Sequence, residues 1–221
     1  MKNEMVMGTT NYNSIQHLCD VARKKSKLIA IIGYTGAGKT TALENYVTGK
    51  EDVYYMVIKP SMTAKEFYST LLNTLGIEGR EYGSTLHSLI NQASYKLNYD
   101  KTKKLLILDE AGKSKPKFFE YLHELRDNTK DTTGILIAGP EYFQQDLKKW
   151  KTKGIPGIPE FYRRISHWEQ LSEPTKEEVR AFCDYHEVKS EEAIQEMINT
   201  CRNFSEIMDS IEAHLIQNQK K

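Results

Sequence analysis

The sequence predicts a layered α/β protein with a parallel sheet, followed by a smaller helical part. Past Pro174 only helical patterns remain, whereas before it short apolar stretches alternate with stretches of helical periodicity. Parallel strands need long crossover connections, so strands that alternate with helices favour a parallel sheet covered by helices. The five predicted strands are residues 28–32, 53–58, 105–108, 135–138 and 165–171.

Apolar spacing and capping residues predict the helices. Asn13 or Ser14 is expected to cap the first helix, and a capping-box pattern at residues 63–66 opens the third. A polar stretch around residues 79–83 precedes the fourth, and a second capping box at residues 175–178 opens the helical part. The helices expected before that part are residues 13–25, 41–47, 63–75, 84–97, 118–128 and 141–150.

Length and composition indicate one substantial core with an appendage. The 221 residues are 39% hydrophobic and 28% charged, with a formal net charge of +1, as in ordinary soluble globular proteins. We expect an α/β core over residues 1–172 and a small helical lid over residues 173–221, which is too short to be stable alone.

Nothing in the composition predicts secretion or membrane insertion. The longest apolar runs are about five residues, against about 20 for a spanning helix, and the N-terminus lacks the apolar core of a secretion signal. Cys19, Cys183 and Cys201 are scattered without metal-type spacing. They predict reduced thiols in a cytoplasmic protein that makes no membrane contact.

Residues 33–40 match the phosphate-binding loop G-x-x-x-x-G-K-[ST], between the first strand and the next helix. The glycines allow backbone N–H groups to surround a polyphosphate, Lys39 reaches its outer phosphates, and Thr40 offers a hydroxyl to Mg²⁺. A chance glycine turn is the alternative, which the flanking strand and helix disfavour. The predicted nucleotide-binding residues here are Gly33, Tyr34, Thr35, Gly36, Ala37, Gly38, Lys39, Thr40 and Thr41.

The third strand ends in two carboxylates, Asp109 and Glu110. The carboxyl end of a central strand is where open α/β sheets bind ligands. Asp109 is therefore predicted to hold the Mg²⁺ shell opposite Thr40, and Glu110 to orient or deprotonate an attacking water. The adjacent Glu favours a hydrolysing ATPase over a kinase or a small GTPase, and the guanine-reading N-K-x-D motif is missing from the sequence.

Four stretches together resemble the AAA+ ATPases, at residues 33–40, 105–110, 135–141 and 161–165. Within that class the chain is most similar to the MuB/TnsC/TniB branch, which serves DNA transposition, with the ExeA-type secretion ATPases nearby. The resemblance covers nearly the whole chain. It implies an ATP-dependent homo-oligomer, a ring or helical filament, that coats duplex DNA, marks it as a transposition target, and recruits or stimulates a transposase.

The resemblance also implies that a neighbouring subunit supplies a cationic finger to each nucleotide. Arg163 and Arg164 match the family's position for this finger. Alternatively, these two arginines cap a helix end or bind the sheet edge. Arg126 is the next candidate, although it could equally form a surface pair with Glu124 or Asp127.

The sequence departs from the AAA+ pattern at both sensor positions. The fourth strand ends at Ala138 and Gly139, where the family usually has a polar residue that senses the γ-phosphate. In the lid, Arg202 lies close to the family's nucleotide-binding arginine, but Ser205 is the other candidate for that position. Both departures predict a slow ATPase whose nucleotide state mainly controls assembly.

Two lysine clusters are candidate contacts for the DNA backbone. Lysine suits binding that ignores base sequence, because it acts as a mobile point charge, but lysine runs also simply keep surfaces soluble. We favour the first cluster, which lies next to the catalytic edge. The first cluster is Lys113, Lys115 and Lys117, and the second is Lys148, Lys149, Lys151 and Lys153.

Other function classes remain open at this point. A secretion ATPase of ExeA type would act on a protein partner, but it normally carries a transmembrane segment and a peptidoglycan-binding extension. A helicase loader or initiator-like ATPase would bind single-stranded DNA and a replicative helicase. A small-metabolite kinase is disfavoured by the Asp109–Glu110 pair and by the C-terminal position of the lid.

Overall fold

The computed structural model describes residues 8–77 and 85–218. Within these ranges, five strands form one parallel sheet in the order β2-β3-β4-β1-β5. The predicted α/β class with a parallel five-stranded sheet is therefore confirmed. The strands are β1 (Leu28–Ile32), β2 (Val53–Val57), β3 (Lys104–Asp109), β4 (Thr133–Gly139) and β5 (Ile165–Gln170).

Helices cover both faces of the sheet. The helices α1 and α2 pack on one face, and α3 to α7 pack on the other, each over its own cluster of buried apolar side chains. The described helices of this part are α1 (Thr10–Lys25), α2 (Lys39–Val47), α3 (Ala64–Thr74), α4 (Leu86–Asn98), α5 (Pro116–Asn128), α6 (Phe143–Thr152) and α7 (Ile158–Arg164).

The C-terminal part is helical, as expected, and builds its own apolar cluster. Val179, Met197 and Ile211 belong to this third cluster, which is separate from the two that cover the sheet. Its helices are α8 (Lys176–Tyr185), α9 (Glu191–Thr200) and α10 (Phe204–Asn218). None of the helices in the described ranges combines the length and apolar character needed to cross a bilayer.

Capping residues and apolar spacing in the sequence predicted most helix ends correctly. In both predicted capping boxes the Thr side chain accepts from the Glu backbone and the Glu side chain accepts from the Thr backbone, at residues 63–66 and 175–178. The predicted start and cap of α1 were wrong: the helix begins a turn earlier, and the Thr9 side chain caps it by accepting from the Tyr12 N–H. The polar stretch at residues 79–83 lies outside the described residues.

Helix α7, a seven-residue helix that ends at Arg164, is not predicted by the sequence. It begins after Gly157, whose φ is +80°, and has a proline in its first turn. A Cβ atom at Gly157 would lie 2.6 Å from Cβ of Glu120, so α5 packs too closely there for a larger residue. Close packing against α5, rather than local periodicity, therefore accounts for a helix at this position.

Candidate functional site

The phosphate-binding loop joins the carboxyl end of β1 to the start of α2. Gly36 and Gly38 both have a φ of +82°, which residues with a side chain rarely adopt. Gly38 directly precedes the first residue of α2. The predicted loop therefore has the strand-turn-helix setting that the motif requires, with glycine where the backbone turns.

Lys39 is held inside the loop by backbone carbonyl groups. Its Nζ atom donates to the carbonyl oxygens of Gly33 at 2.7 Å and Tyr34 at 2.9 Å. Burial lowers the pKa of the Lys39 ammonium, and the neighbouring carboxylates, with Asp109 contributing most, oppose that shift. Charged phosphate oxygens are stronger acceptors than these two neutral carbonyls, so an anion in the loop would attract the same ammonium.

The two residues predicted to hold Mg²⁺ are in direct contact. The Thr40 hydroxyl donates to Oδ2 of Asp109 at 2.7 Å, which joins the loop to the end of β3. Asp109 is only 1% exposed, and its Oδ1 atom accepts from the Glu110 N–H at 2.8 Å. A hydroxyl and a carboxylate fit Mg²⁺, which prefers oxygen ligands and keeps several waters when few protein groups bind it.

Glu110 adopts an uncommon backbone conformation, with φ of 59° and ψ of 30°. Such a conformation in a residue other than glycine costs about 1–3 kcal/mol and often marks a functional site. Its side chain is 37% exposed, and Oε2 lies 3.3 Å from Nζ of Lys113. The carboxylate is thus accessible to solvent beside the buried Asp109. A group that orients an attacking water needs this access.

Tyr55 is a further residue at the site, one that the sequence does not predict. Its hydroxyl donates to Oδ2 of Asp109 at 3.0 Å, the same oxygen that accepts from Thr40. Burial, and then the charge of Asp109, raise the pKa of the Tyr55 hydroxyl far above its ordinary value. Tyr55 lies in an apolar, aromatic strand, and only the register between β2 and β3 connects it to Asp109.

The start of α10 lies against the phosphate loop. The Phe204 N–H donates to the Gly36 carbonyl oxygen at 3.0 Å. A Cβ atom at Gly36 would lie 2.5 Å from Oδ1 of Asn203 and 2.7 Å from Oγ of Ser205. The helical part therefore contacts the loop directly through three consecutive residues.

AAA+ proteins usually carry nucleotide-sensing residues at two positions, and this structure departs from that pattern differently at each. Arg202 is exposed, 3.5 Å from Glu173 and outside α10, whereas Ser205 is the residue beside the loop. At the end of β4, a Cβ atom on Gly139 would lie 2.8 Å from the Phe143 ring, so this position has no room for a polar side chain. The structure therefore gives a steric reason for the missing residue at the end of β4.

Asn11 links three separate segments, and no local pattern in the sequence predicts this role. Its Nδ2 donates to the Ser172 carbonyl at 2.9 Å and, more weakly, to the Ala37 carbonyl at 3.4 Å. Its Oδ1 accepts from the Ser172 N–H at 3.1 Å. Because Asn11 is buried, these hydrogen bonds satisfy an amide that would otherwise be costly to place there.

The three candidate finger arginines have different surroundings. Arg164 forms two hydrogen bonds of 2.7 Å to the carboxylate of Asp127. Arg163 is exposed and makes no hydrogen bond or ion pair with any residue the structure describes. Arg126 does not form the surface pair that was the alternative for it: the residue is buried, burial lowers its pKa, and it donates to the Ser26 carbonyl at 2.6 Å.

The two lysine clusters lie at different places in the fold. The first surrounds the short 3₁₀ turn after β3 and the start of α5, where Lys113 contacts Glu110. The second occupies the last turns of α6, where Lys151 lies 4.9 Å from the centre of the Tyr162 ring. All seven lysines are exposed, namely Lys113, Lys115, Lys117, Lys148, Lys149, Lys151 and Lys153.

The strand order, the phosphate loop and the acidic end of β3 define a P-loop nucleoside triphosphatase fold. More narrowly, the chain belongs to the AAA domain family, which matches residues 22–146. Domains of this family generally bind and hydrolyse nucleotides. No curated protein matches the chain.

Solved structures with the same fold include three proteins of low sequence identity. The Aeropyrum pernix ORC2 protein (ADPNP-ADP complexes) is 16% identical, with a TM-score of 0.61 over 80% of this chain and 51% of that one. The Aeropyrum pernix ORC1 protein in complex with DNA is 11% identical, with a TM-score of 0.64 over 97% and 62%. Domain III of the Thermotoga maritima replication initiation protein DnaA is 18% identical, with a TM-score of 0.58 over 98% and 87%. This chain thus spans between half and two thirds of the two ORC chains.

Proposed function

We propose that this protein is an AAA+ ATPase that converts ATP and water to ADP and phosphate with Mg²⁺. The contact between Thr40 and Asp109 carries this proposal, because it brings together the two oxygen ligands that the ion needs. Mg²⁺ would neutralise charge on the phosphates as the bond breaks. Lys39 binds the outer phosphates, and Glu110 orients the attacking water and accepts its proton.

Hydrolysis is proposed to be slow and to require assembly. The crowded end of β4 leaves Gly139 without a side chain that could contact the γ-phosphate. Arg163 is proposed as the finger that a neighbouring subunit inserts, since Arg164 is held by Asp127. The division at residue 172 into core and lid is part of this proposal, supported by the separate apolar cluster of α8 to α10.

We further propose that the protein oligomerises on duplex DNA without sequence specificity and regulates transposition by selecting the target and activating a transposase. The resemblance to the MuB/TnsC/TniB branch supports this narrower function. A role like that of a helicase loader or replication initiator is the second candidate, favoured by the likeness to ORC and DnaA proteins, one of which is in complex with DNA. The preference for duplex or single-stranded DNA distinguishes the two candidate functions, since a helicase loader would favour single-stranded DNA.

Duplex-DNA co-sedimentation with negative-stain microscopy tests this function. We expect filaments or rings on duplex DNA with ATP or a non-hydrolysable analogue, and none with ADP. The Lys39→Ala protein should form neither, because it lacks the ammonium that binds the outer phosphates. Assembly on single strands alone would favour the initiator-like function, and no DNA retention with any nucleotide would leave an ATPase whose partner is a protein.

Replacing Lys113 by alanine is expected to weaken binding to all DNA sequences alike. One lost phosphate contact should reduce the slope of log affinity against log salt by about one. Fluorescence anisotropy of labelled duplexes at several salt concentrations measures this slope. Lys151→Ala, in the second cluster, is the matched control and should leave the slope unchanged. A reduced slope for Lys151→Ala with an unchanged slope for Lys113→Ala would instead indicate that the second cluster contacts DNA.

A further inference from the structure

Tyr55 and Asp109 share one face of the sheet. The β2–β3 register pairs Val57 with Asp109, and alternate residues of a strand point to the same side, so Tyr55 lies on the Asp109 side. Tyr55 packs there with the apolar cluster under α1 and α2. Its neighbour Tyr54 packs on the opposite face, with the cluster under α3 to α7.

The hydrogen bonds of Asp109 come from three different parts of the chain. Thr40 donates from the phosphate loop at 2.7 Å, and Tyr55 donates from β2 at 3.0 Å, both to Oδ2. The Glu110 N–H donates to Oδ1 at 2.8 Å. A carboxylate that is 1% exposed needs such donors, because burying an unsatisfied charge is very costly.

We propose that Tyr55 is a positioning residue for ATP hydrolysis, whose hydroxyl fixes the orientation in which the Asp109 carboxylate meets nucleotide-bound Mg²⁺. This inference rests on the ATPase function proposed above. Thr40 belongs to the loop that the nucleotide enters, whereas Tyr55 lies on a strand that pairs with β3 along its length. The hydrogen bond from Tyr55 therefore restrains Asp109 whatever occupies the loop.

The experiment compares Tyr55→Phe with Tyr54→Phe. Phenylalanine keeps the ring and removes only the hydroxyl, and the Tyr54 hydroxyl has no hydrogen-bond partner among the described residues. Binding of a fluorescent ATP analogue is measured in EDTA and during a Mg²⁺ titration, which requires no hydrolysis. Hydrolysis rates and melting temperatures are recorded for the same proteins.

We expect Tyr55→Phe to bind the analogue normally in EDTA. In the Mg²⁺ titration it should need about tenfold more Mg²⁺ to reach half of the maximal change in binding, because it loses one hydrogen bond to a charged group. Tyr54→Phe should match the unmodified protein. In an Asp109→Asn background, Tyr55→Phe should cause no further change in the Mg²⁺ titration, because its effect passes through that carboxylate.

Three results would overturn the inference, each in a distinguishable way. If the unmodified protein responds to Mg²⁺ and Tyr55→Phe responds identically, the role of Tyr55 is wrong and the ATPase proposal stands. A lower melting temperature with an unchanged Mg²⁺ titration would likewise assign Tyr55 to stability alone. If the unmodified protein shows no Mg²⁺-dependent binding of the analogue, both proposals fail together.

Discussion

The Glu110→Gln protein is expected to bind ATP and assemble on DNA but to lose hydrolysis by about 10²–10⁴-fold, the usual contribution of a general base. Glutamine keeps the shape of the side chain but cannot accept a proton from water. The carboxylate lies beside Asp109 at the end of β3 without contacting the phosphate loop, so nucleotide affinity should change little. Phosphate release and equilibrium binding of an ATP analogue measure the two effects separately.

Glu44→Gln is the matched control, since it removes an exposed carboxylate from α2 that makes no side-chain hydrogen bond or ion pair within the described residues. Its rate should equal that of the unmodified protein. Full hydrolysis by Glu110→Gln would contradict the assignment. Glu141, the next carboxylate to influence Lys39, would then become the candidate base.

Arg163→Ala is expected to lower hydrolysis by the assembled protein by about 10³–10⁵-fold, the range for a lost arginine finger. Folding should be unaffected, because Arg163 is exposed and unpaired within the described residues. Arg164→Ala should instead lower the melting temperature by about 2–4 °C, because it breaks the two hydrogen bonds to Asp127. Phosphate release under assembling conditions, with thermal melts of each variant, checks both expectations.

Mixing two inactive proteins gives a sharper test of a shared site. An interface in which the Arg163→Ala chain holds the nucleotide and the Glu110→Gln chain supplies the finger has an intact Glu110 and an intact Arg163. We therefore expect the mixture to regain hydrolysis that neither variant shows alone. Failure to regain activity, with normal co-assembly, would place all hydrolytic groups within one chain.

Loss of activity in Arg164→Ala at an unchanged melting temperature would make Arg164 the finger.

Local sequence signals were sufficient for much of the fold. Strand β1 and residues 105–108 of β3 are uninterrupted apolar runs, and each capping box lies where a Thr is followed three residues later by a Glu. The phosphate loop was recognisable because its chemistry restricts the residues that can occupy it. These features depend on neighbours along the chain, which is why a single sequence reveals them.

The remaining features depend on contacts between distant segments. Arg126 follows a helical pattern that resembles an exposed position, yet it is buried against the Ser26 carbonyl, 100 residues away. Tyr55 approaches Asp109 only through the register of two strands, and Ser205 approaches Gly36 only because α10 packs onto the loop. No periodicity in the sequence encodes such pairings.

The buried amide of Asn11 has a mechanical consequence for the molecule. It bonds to Ala37 in the phosphate loop and to Ser172, where the chain leaves the sheet towards α8. We therefore expect a displacement of the loop to shift Ser172, from which the chain continues into the helical part. The phosphate loop is thus connected to the C-terminal helical part at two places, through the Asn11 side chain and through the Phe204 N–H, and we expect a change in the loop to be transmitted to those helices.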